Sequence, residues 1–177
     1  MFSGKKVLVI ICGGIAAFKA LELIRRLRVM NAEILPVMTP SAKKFVTEMS
    51  IGTLAGSKVY SELFDMQDET EIGHINLARN ADLVVVAPAT ANFMAKVAVG
   101  ICSNLAETVV AAATCKIVMI PAMNVKMWER KANLRVIEAL KGDGVQFIGP
   151  SSGEMACGEF GEGRFAELDV IEESIKK

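Results

Sequence analysis

Residues that mark metal, disulfide or nucleic-acid-binding proteins are scarce in this sequence of 177 residues. There is one histidine, and the four cysteines (Cys12, Cys102, Cys115 and Cys157) form no CxxC pair. Their spacing argues against a zinc site and a small disulfide scaffold, so no metal is expected, and it favours a reducing cytoplasm. Twenty basic residues balance twenty acidic ones, and this zero net charge argues against a broad nucleic-acid-binding surface.

Long hydrophobic runs are also missing. The longest, residues 83–91 and 117–123, are shorter than the roughly 18 to 20 residues of a membrane-spanning helix, and each contains a proline. The apolar run before Gly13 is too short for a signal peptide. Yet 52% of the residues are hydrophobic, which excludes a disordered chain. This surplus predicts a large core, a cofactor pocket or a subunit interface.

Strand-like and helix-like patterns alternate along the chain. The predicted strands are residues 7–11, 33–38, 83–87, 116–120 and 145–148. The predicted helices follow Gly14 and Pro40, cover about 91–99, 105–113 and 133–141, and resume near Asp169. This alternation predicts a single α/β domain over residues 1–177. We expect a three-layer, doubly wound parallel sheet of the flavodoxin-like or Rossmann-like kind.

Ligands of such folds bind beyond the carboxyl ends of the strands. That rule selects four loops, at residues 12–14, 39–41, 88–92 and 121–124. Gly13 and Gly14 would let backbone amides approach a phosphate at a helix start, although a tight turn without a ligand fits them equally well. Thr39 and Ser41 offer hydroxyl groups, which are also ordinary helix caps.

Polar side chains follow the later strands. Thr90 and Asn92 are donors directly after a buried run, and Asn124 stands close to Met127 and Trp128. A buried asparagine is either a local turn former or a recognition group, and the methionine and tryptophan also fit ordinary core packing. His74 can act as a base near neutral pH, although a lone histidine is more often structural or on the surface.

The segment 153–164, GEMACGEFGEGR, combines four glycines and three glutamates around Cys157. This composition favours a mobile flap, at about residues 150–166, over a strand or a helix. A cysteine on such a flap can donate a proton or act as a thiolate, whereas most free cysteines are buried and inert.

Taken in order, these motifs resemble the flavin-containing cysteine decarboxylases over about residues 5–168. GGIAAFK and APATAN match the family's flavin motifs, MTPSA matches a second loop, and GHINLAR places the family histidine at His74. PAMNVKMW fits the pattern PxMNxxMW, and GEMACGEFGEGR matches the substrate flap. The combination of these last two motifs, in this order, is highly specific.

The resemblance implies FMN-dependent decarboxylation of 4'-phosphopantothenoylcysteine (PPC) to 4'-phosphopantetheine in coenzyme A biosynthesis. In this chemistry FMN transiently oxidises the cysteine to a thioaldehyde, carbon dioxide leaves, and the reduced flavin returns a hydride. Alternatives are a decarboxylase of peptides ending in cysteine, as in lantibiotic maturation, and a non-enzymatic FMN-binding regulatory subunit. The family also implies a homotrimer or a dodecamer of trimers, and a separate or fused synthetase as partner.

The resemblance also implies roles for the residues of this sequence that match the family's motifs. The resemblance makes His74 the base of the oxidative half-reaction, Asn124 the contact for the substrate carboxylate or amide, and Cys157 the proton donor. Met127 and Ala156 join Asn124 in the substrate set, and charge alone assigns Arg164 to the substrate phosphate. The expected FMN contacts are Gly13, Gly14, Ile15, Thr39, Ser41, Thr90, Ala91 and Asn92.

Three positions depart from the family pattern. Phe93 replaces the threonine that usually follows APATAN, which puts one flavin hydrogen bond in doubt. Ser103 stands where the family usually has aspartate, so we expect a carboxylate to be missing near the site. Asn76 replaces an acidic residue two positions after the histidine.

Overall fold

A parallel five-stranded sheet forms the centre of the fold in the computed structural model, which describes residues 2–63 and 73–176. In chain order its strands are β1 (Lys6–Ile11), β2 (Glu33–Met38), β3 (Leu83–Ala89), β4 (Lys116–Pro121) and β5 (Gln146–Phe147). Their order across the sheet is β2-β1-β3-β4-β5. The winding direction therefore reverses between β1 and β3, which is where folds of this kind open a ligand crevice.

Helices cover both faces of this sheet. They are α1 (Ala17–Val29), α2 (Glu48–Ala55), α3 (His74–Asn80), α4 (Ala91–Ala98), α5 (Leu105–Ala112), α6 (Val125–Trp128), α7 (Lys131–Gly142) and α8 (Leu168–Ile175). The helix expected after Pro40 starts as a short 3₁₀ helix at Ala42–Lys44, ahead of α2. Within the described ranges, none of the helices is long and apolar enough to cross a membrane.

Successive residues of β1 point into two separate cores. Val7, Val9 and Ile11 pack with α1, α2 and α8 on one face of the sheet. Leu8 and Ile10 pack with α3, α4, α5 and α7 on the other face. Because side chains alternate along a strand, a continuous apolar run is what a strand covered on both faces requires. The predicted three-layer α/β fold is confirmed.

Residues 151–164 differ from the prediction. Their glycine-rich composition favoured a flap without regular structure, but they form an antiparallel hairpin of β6 (Ser151–Glu154) and β7 (Phe160–Arg164). The turn closes when the backbone N–H of Gly158 donates to the carbonyl of Met155 at 2.9 Å. Gly158 has φ +79°, a left-handed conformation that suits glycine at this position of a hairpin turn. The glycines therefore shape a hairpin whose tip carries Cys157.

Candidate active site

A cavity of about 480 Å³ opens at the carboxyl ends of β1, β3 and β4, where the ligand crevice was predicted. This volume suits a small organic ligand or cofactor. One side of the cavity is formed by Gly13, Gly14 and the start of α1, and the other by the loops after β3 and β4. The hairpin closes the remaining side through its tip and the end of β7.

The first loop is shaped by close packing between Gly13 and Ser41. A Cβ on Gly13 would lie 2.5 Å from Cβ and 2.6 Å from the carbonyl carbon of Ser41, so only glycine fits. Nearby, the buried hydroxyl of Thr39 donates to the carbonyl of Ile11 at 3.3 Å. Of the predicted flavin contacts here, Gly13, Gly14 and Ile15 line the cavity, whereas Thr39 and Ser41 support the loop.

The three predicted flavin contacts in the loop after β3 lie in three different environments. Thr90 lines the cavity and caps α4, because its hydroxyl accepts from the backbone N–H of Phe93 at 3.2 Å. Ala91 lies instead on a neighbouring cavity of about 520 Å³ beside α6 and α7. Asn92 is exposed. Phe93, the first departure from the family pattern, is a buried residue of α4 and belongs to the core that α4 shares with α3 and α5.

Cys12 is the buried cysteine next to this site. Burial raises the pKa of the Cys12 thiol to about 12, against a hydrogen bond with Thr90 that acts in the opposite direction. The thiol is therefore protonated at neutral pH, and Cys12 is unsuited to thiolate chemistry.

Asn124 is oriented by α6, which it caps. Its Oδ1 accepts from the backbone N–H of Lys126 at 2.8 Å and of Met127 at 3.4 Å. Its Nδ2 consequently faces the hairpin, where it donates to the carboxylate of Glu159 and lies 3.9 Å from Sγ of Cys157. Both Asn124 and Cys157 line the cavity. The fold thus brings together two of the three predicted catalytic residues.

The hairpin is docked on the loop after β4. The backbone N–H of Met123 donates to the carbonyl of Gly163 at 2.9 Å, and Trp128 Nε1 donates to the Glu162 carboxylate at 3.1 Å. A Cβ on Gly163 would lie 2.2 Å from the carbonyl oxygen of Met123. This close approach of two backbones holds Cys157 beside Asn124, and it brings the predicted substrate contact Ala156 to the cavity wall together with Met127.

Two cationic side chains line the cavity. Arg164, the predicted phosphate contact, donates to the Glu167 carboxylate at 2.8 Å, so its charge is already compensated. Lys19 has its Nζ 5.7 Å from the ring centroid of Phe165 and is half-buried. Among the described residues no carboxylate pairs with Lys19. Sequence reasoning missed Lys19 and Glu159, although each stands inside a quoted motif, GGIAAFK and the flap.

His74 is not brought to this cavity within one chain. It begins α3, which belongs to the helix layer opposite α1, and it is not among the residues on the cavity wall. Helices that connect parallel strands run back along the sheet, so α3 starts at the same edge of the sheet as the cavity. His74 thus lies at the same edge of the sheet as the cavity, but in the helix layer opposite α1. Asn76, two positions further on, is exposed.

Ser103, the second departure from the family pattern, is hydrogen-bonded to a buried glutamate, Glu107. Glu107 accepts hydrogen bonds from the hydroxyl of Ser103 at 2.6 Å, from its backbone N–H at 2.8 Å, and from Lys96 Nζ at 2.9 Å. Burial by itself raises the pKa of Glu107, but these hydrogen bonds outweigh it and hold the pKa below its ordinary value. Position 103 itself carries no carboxylate, and the neighbouring carboxylate of Glu107 lies beside it.

Replacing Ser103 with aspartate should destabilise the fold, because a second carboxylate would face Glu107. We expect a loss of about 1–3 kcal/mol in the free energy of unfolding relative to Ser103→Ala, the control that removes the hydroxyl without adding charge. The difference should shrink from about pH 7 to about pH 5, since protonation of either carboxyl relieves the repulsion. Urea unfolding of both variants at the two pH values measures the difference in stability. Equal stability of the two variants at both pH values would contradict the prediction.

Comparison with known proteins defines the class to which this fold and site belong. A family profile for flavoproteins matches residues 1–177. The chain belongs to the flavoprotein family, which confirms the relationship that the motifs predicted.

Individual proteins similar to this chain are known both as sequences and as solved structures. The chain is 41% identical, over 169 residues, to the coenzyme A biosynthesis bifunctional protein CoaBC of Haemophilus influenzae, covering 96% of this chain and 42% of that protein. It therefore spans less than half the length of this curated relative. A solved Cys-to-Ser variant of a PPC decarboxylase, complexed with pantothenoylaminoethenethiol, is similar with a TM-score of 0.83 and 31% identity over 97% of this chain and 96% of that one. The FMN-dependent cysteine decarboxylase SpaF has a TM-score of 0.81 and 28% identity over 97% and 96%.

Proposed function

We propose that this chain is an FMN-dependent carboxy-lyase that converts PPC to 4'-phosphopantetheine and carbon dioxide in coenzyme A biosynthesis. The observation that carries the proposal is the placement of Asn124 beside Cys157 on the wall of the cavity at the β1/β3 edge. The likeness to a PPC decarboxylase and to a bifunctional coenzyme A enzyme supports the same substrate.

The cavity fits a flavin mononucleotide. Helix α1 begins without a side-chain cap, and the backbone N–H groups of Ala17 and Lys19 in its first turn donate to the carbonyls of Gly14 and Ala16. The helix dipole favours an anion such as a phosphate at this end. A Cβ on Gly14 would meet nothing nearer than the Thr90 methyl at 4.0 Å, which leaves room beside the loop. Ile15 and Phe18 are 64% and 57% exposed and offer apolar surface to the isoalloxazine ring. Bound FMN would supply reversible two-electron oxidation of the substrate cysteine.

The side chains opposite the flavin loop perform the remaining tasks. Asn124, fixed by its two backbone hydrogen bonds, offers Nδ2 to the substrate carboxylate and so orients the group that leaves. Cys157, at the hairpin tip, donates a proton to the enethiolate that remains after carbon dioxide departs. The hairpin covers the site and limits access of water to this reactive species.

A direct assay tests the function. The FMN-loaded chain is incubated with PPC, and carbon dioxide and 4'-phosphopantetheine are quantified, with a peptide ending in cysteine as the comparison substrate. We expect turnover of PPC. A fully flavinated protein that leaves PPC unchanged would overturn the proposal, and turnover of the peptide alone would establish the peptide-decarboxylase alternative.

We also propose that the chain works as a homotrimer, singly or in a dodecamer, in which His74 reaches the cavity of a second copy. The support is that His74 does not line the cavity of its own chain, whereas Asn124 and Cys157 do. Ile75 in α3, and Val99 and Ile101 between α4 and α5, are 45%, 70% and 44% exposed, and exposed apolar side chains of this kind favour coverage by another subunit.

Mixing two variants that each fail to form 4'-phosphopantetheine should restore its formation if His74 acts across subunits. His74→Asn and Cys157→Ser chains, carrying different tags, are co-expressed and the mixed oligomers purified. A site built from the intact His74 of one chain and the intact Cys157 of another is complete, so phosphopantetheine formation should return. Mixed oligomers that remain inactive would contradict the arrangement, and each variant oligomerised alone is the control.

We assign the substrate phosphate to Lys19 rather than to Arg164, because Lys19 carries the uncompensated charge in the cavity. Lys19→Met should raise KM for PPC about tenfold while changing KM for unphosphorylated pantothenoylcysteine little, as expected for one lost charge-assisted hydrogen bond. Arg164→Met, the matched control, should have a smaller effect since Glu167 already pairs with it. Flavin content is checked in both variants, and equal effects of Lys19→Met on the two substrates would refute the assignment.

The remaining proposals concern organisation. We propose that residues 1–177 form one flavoprotein domain in the cytoplasm, with a PPC synthetase, fused or separate, as its partner. The bifunctional name and greater length of the coenzyme A relative support such a partner. Co-purification of PPC synthetase activity with this chain from its native host tests the pairing.

A further inference from the structure

Asn124 already carries a carboxylate from its own chain. Its Oδ1 is committed to the backbone N–H groups of Lys126 and Met127, so the carboxamide cannot rotate without losing both hydrogen bonds. Its Nδ2 donates to Oε2 of Glu159, and the Cys157 thiol lies 3.9 Å from that same oxygen. The donor assigned to the substrate carboxylate is therefore engaged by a carboxylate two residues beyond the proposed proton donor.

The position of Glu159 comes from the hairpin turn and not from a cation. The backbone N–H of Met155 donates to the carbonyl of Glu159 at 2.9 Å, which fixes its backbone at the tip. In the described part of the chain no lysine or arginine pairs with the Glu159 side chain, whereas Arg164 has Glu167. The negative charge of Glu159 thus faces Asn124 without a compensating cation.

We infer that Glu159 is a specificity-determining residue that occupies the place of the substrate carboxylate on Asn124 and is displaced when substrate binds. The inference rests on the proposed function, which gives Nδ2 of Asn124 to that carboxylate. Two carboxylates within hydrogen-bond reach of one amide repel each other, so substrate entry moves the Glu159 side chain away from Asn124.

The exchange has a direct consequence after carbon dioxide leaves. The product no longer holds a carboxylate against Asn124, and Glu159 returns to the Nδ2 group. Glu159 therefore opposes only ligands that still carry the carboxylate, and it leaves the affinity for the decarboxylated product untouched.

Binding of two unreactive ligands to the FMN-loaded chain tests this exchange. One is 4'-phosphopantothenoylalanine, which keeps the carboxylate but lacks the thiol, and the other is the corresponding phosphorylated ethylamide, which lacks both. Calorimetry compares the wild-type chain with Glu159→Gln. Glu162→Gln is the matched control, since Glu162 lies in the same hairpin but accepts from Trp128 Nε1.

We expect Glu159→Gln to bind the alanine ligand about tenfold more tightly, the effect of removing one like charge a few ångströms away, and to bind the ethylamide as the wild type does. Glu162→Gln should show no selective change. An equal change for both ligands, or weaker binding of the alanine ligand, would overturn the role of Glu159. A wild-type chain that binds neither ligand and does not turn over PPC would instead overturn the proposed function, and the inference with it.

Discussion

Replacing Cys157 with serine should stop the formation of 4'-phosphopantetheine while carbon dioxide is still released. The substitution leaves unchanged Asn124, the proposed carboxylate contact, and the proposed flavin loop, so we expect the oxidative half-reaction and the decarboxylation to proceed. Loss of a positioned acid typically costs about 10²–10⁴-fold in rate, and a serine hydroxyl is a far weaker acid than a thiol. Mass spectrometry should detect an enethiol product that is oxidised by two electrons relative to 4'-phosphopantetheine, and those two electrons would remain on the FMN that accepted them.

The structure provides a matched control for this experiment. Cys102 is also an exposed free cysteine, but it is not on the cavity wall, so Cys102→Ser should behave as the wild type does. Normal formation of 4'-phosphopantetheine by Cys157→Ser would remove Cys157 from the mechanism.

Replacing Gly163 with alanine should detach the hairpin from the loop after β4. The new Cβ would lie 2.2 Å from the carbonyl oxygen of Met123, and φ of +139° is a conformation that alanine rarely adopts. We expect a loss of about 3 kcal/mol or more in the free energy of unfolding. Because the hairpin carries Cys157, turnover of PPC should also fall by about 100-fold.

Gly142→Ala is the control for a glycine substitution as such. Gly142 ends α7, and an added Cβ would meet no atom within 4 Å. That variant should be as stable as the wild type or more stable by about 0.4–1 kcal/mol, because alanine reduces the freedom of the unfolded chain. Urea unfolding and carbon dioxide release measure both variants, and a Gly163→Ala chain with wild-type stability and turnover would show that this backbone contact does not position the hairpin.

Local sequence patterns were sufficient to predict a structural feature wherever that feature depends on one contiguous segment of the chain. The apolar run from Val7 to Ile11 can be satisfied only by burial on both faces, and the confirmed strand β1 is that solution. The polar residues after each strand were found for the same reason, because the carboxyl ends of parallel strands meet at one edge.

The hairpin shows where composition misleads. Four glycines in twelve residues resemble an irregular flap, yet Gly158 serves the turn and Gly163 serves the contact with Met123. Neither requirement is visible in the segment alone, because the second depends on a backbone 40 positions earlier in the chain. The substrate-flap assignment thus rested on motif resemblance rather than on composition.

The sequence by itself determined the layered α/β architecture, the edge of the sheet where the cavity opens, and the flavoprotein family. Those features follow from residue periodicity and from motifs that are contiguous in the chain. The tertiary structure alone decided which loop residues share the cavity. It joined Asn124 to Glu159, paired Arg164 with Glu167, left Lys19 without a carboxylate partner among the described residues, and kept His74 off the cavity wall. The physical reason is that hydrogen bonds and charge compensation depend on distances between atoms, and the packing of the sheet, the helices and the hairpin sets those distances.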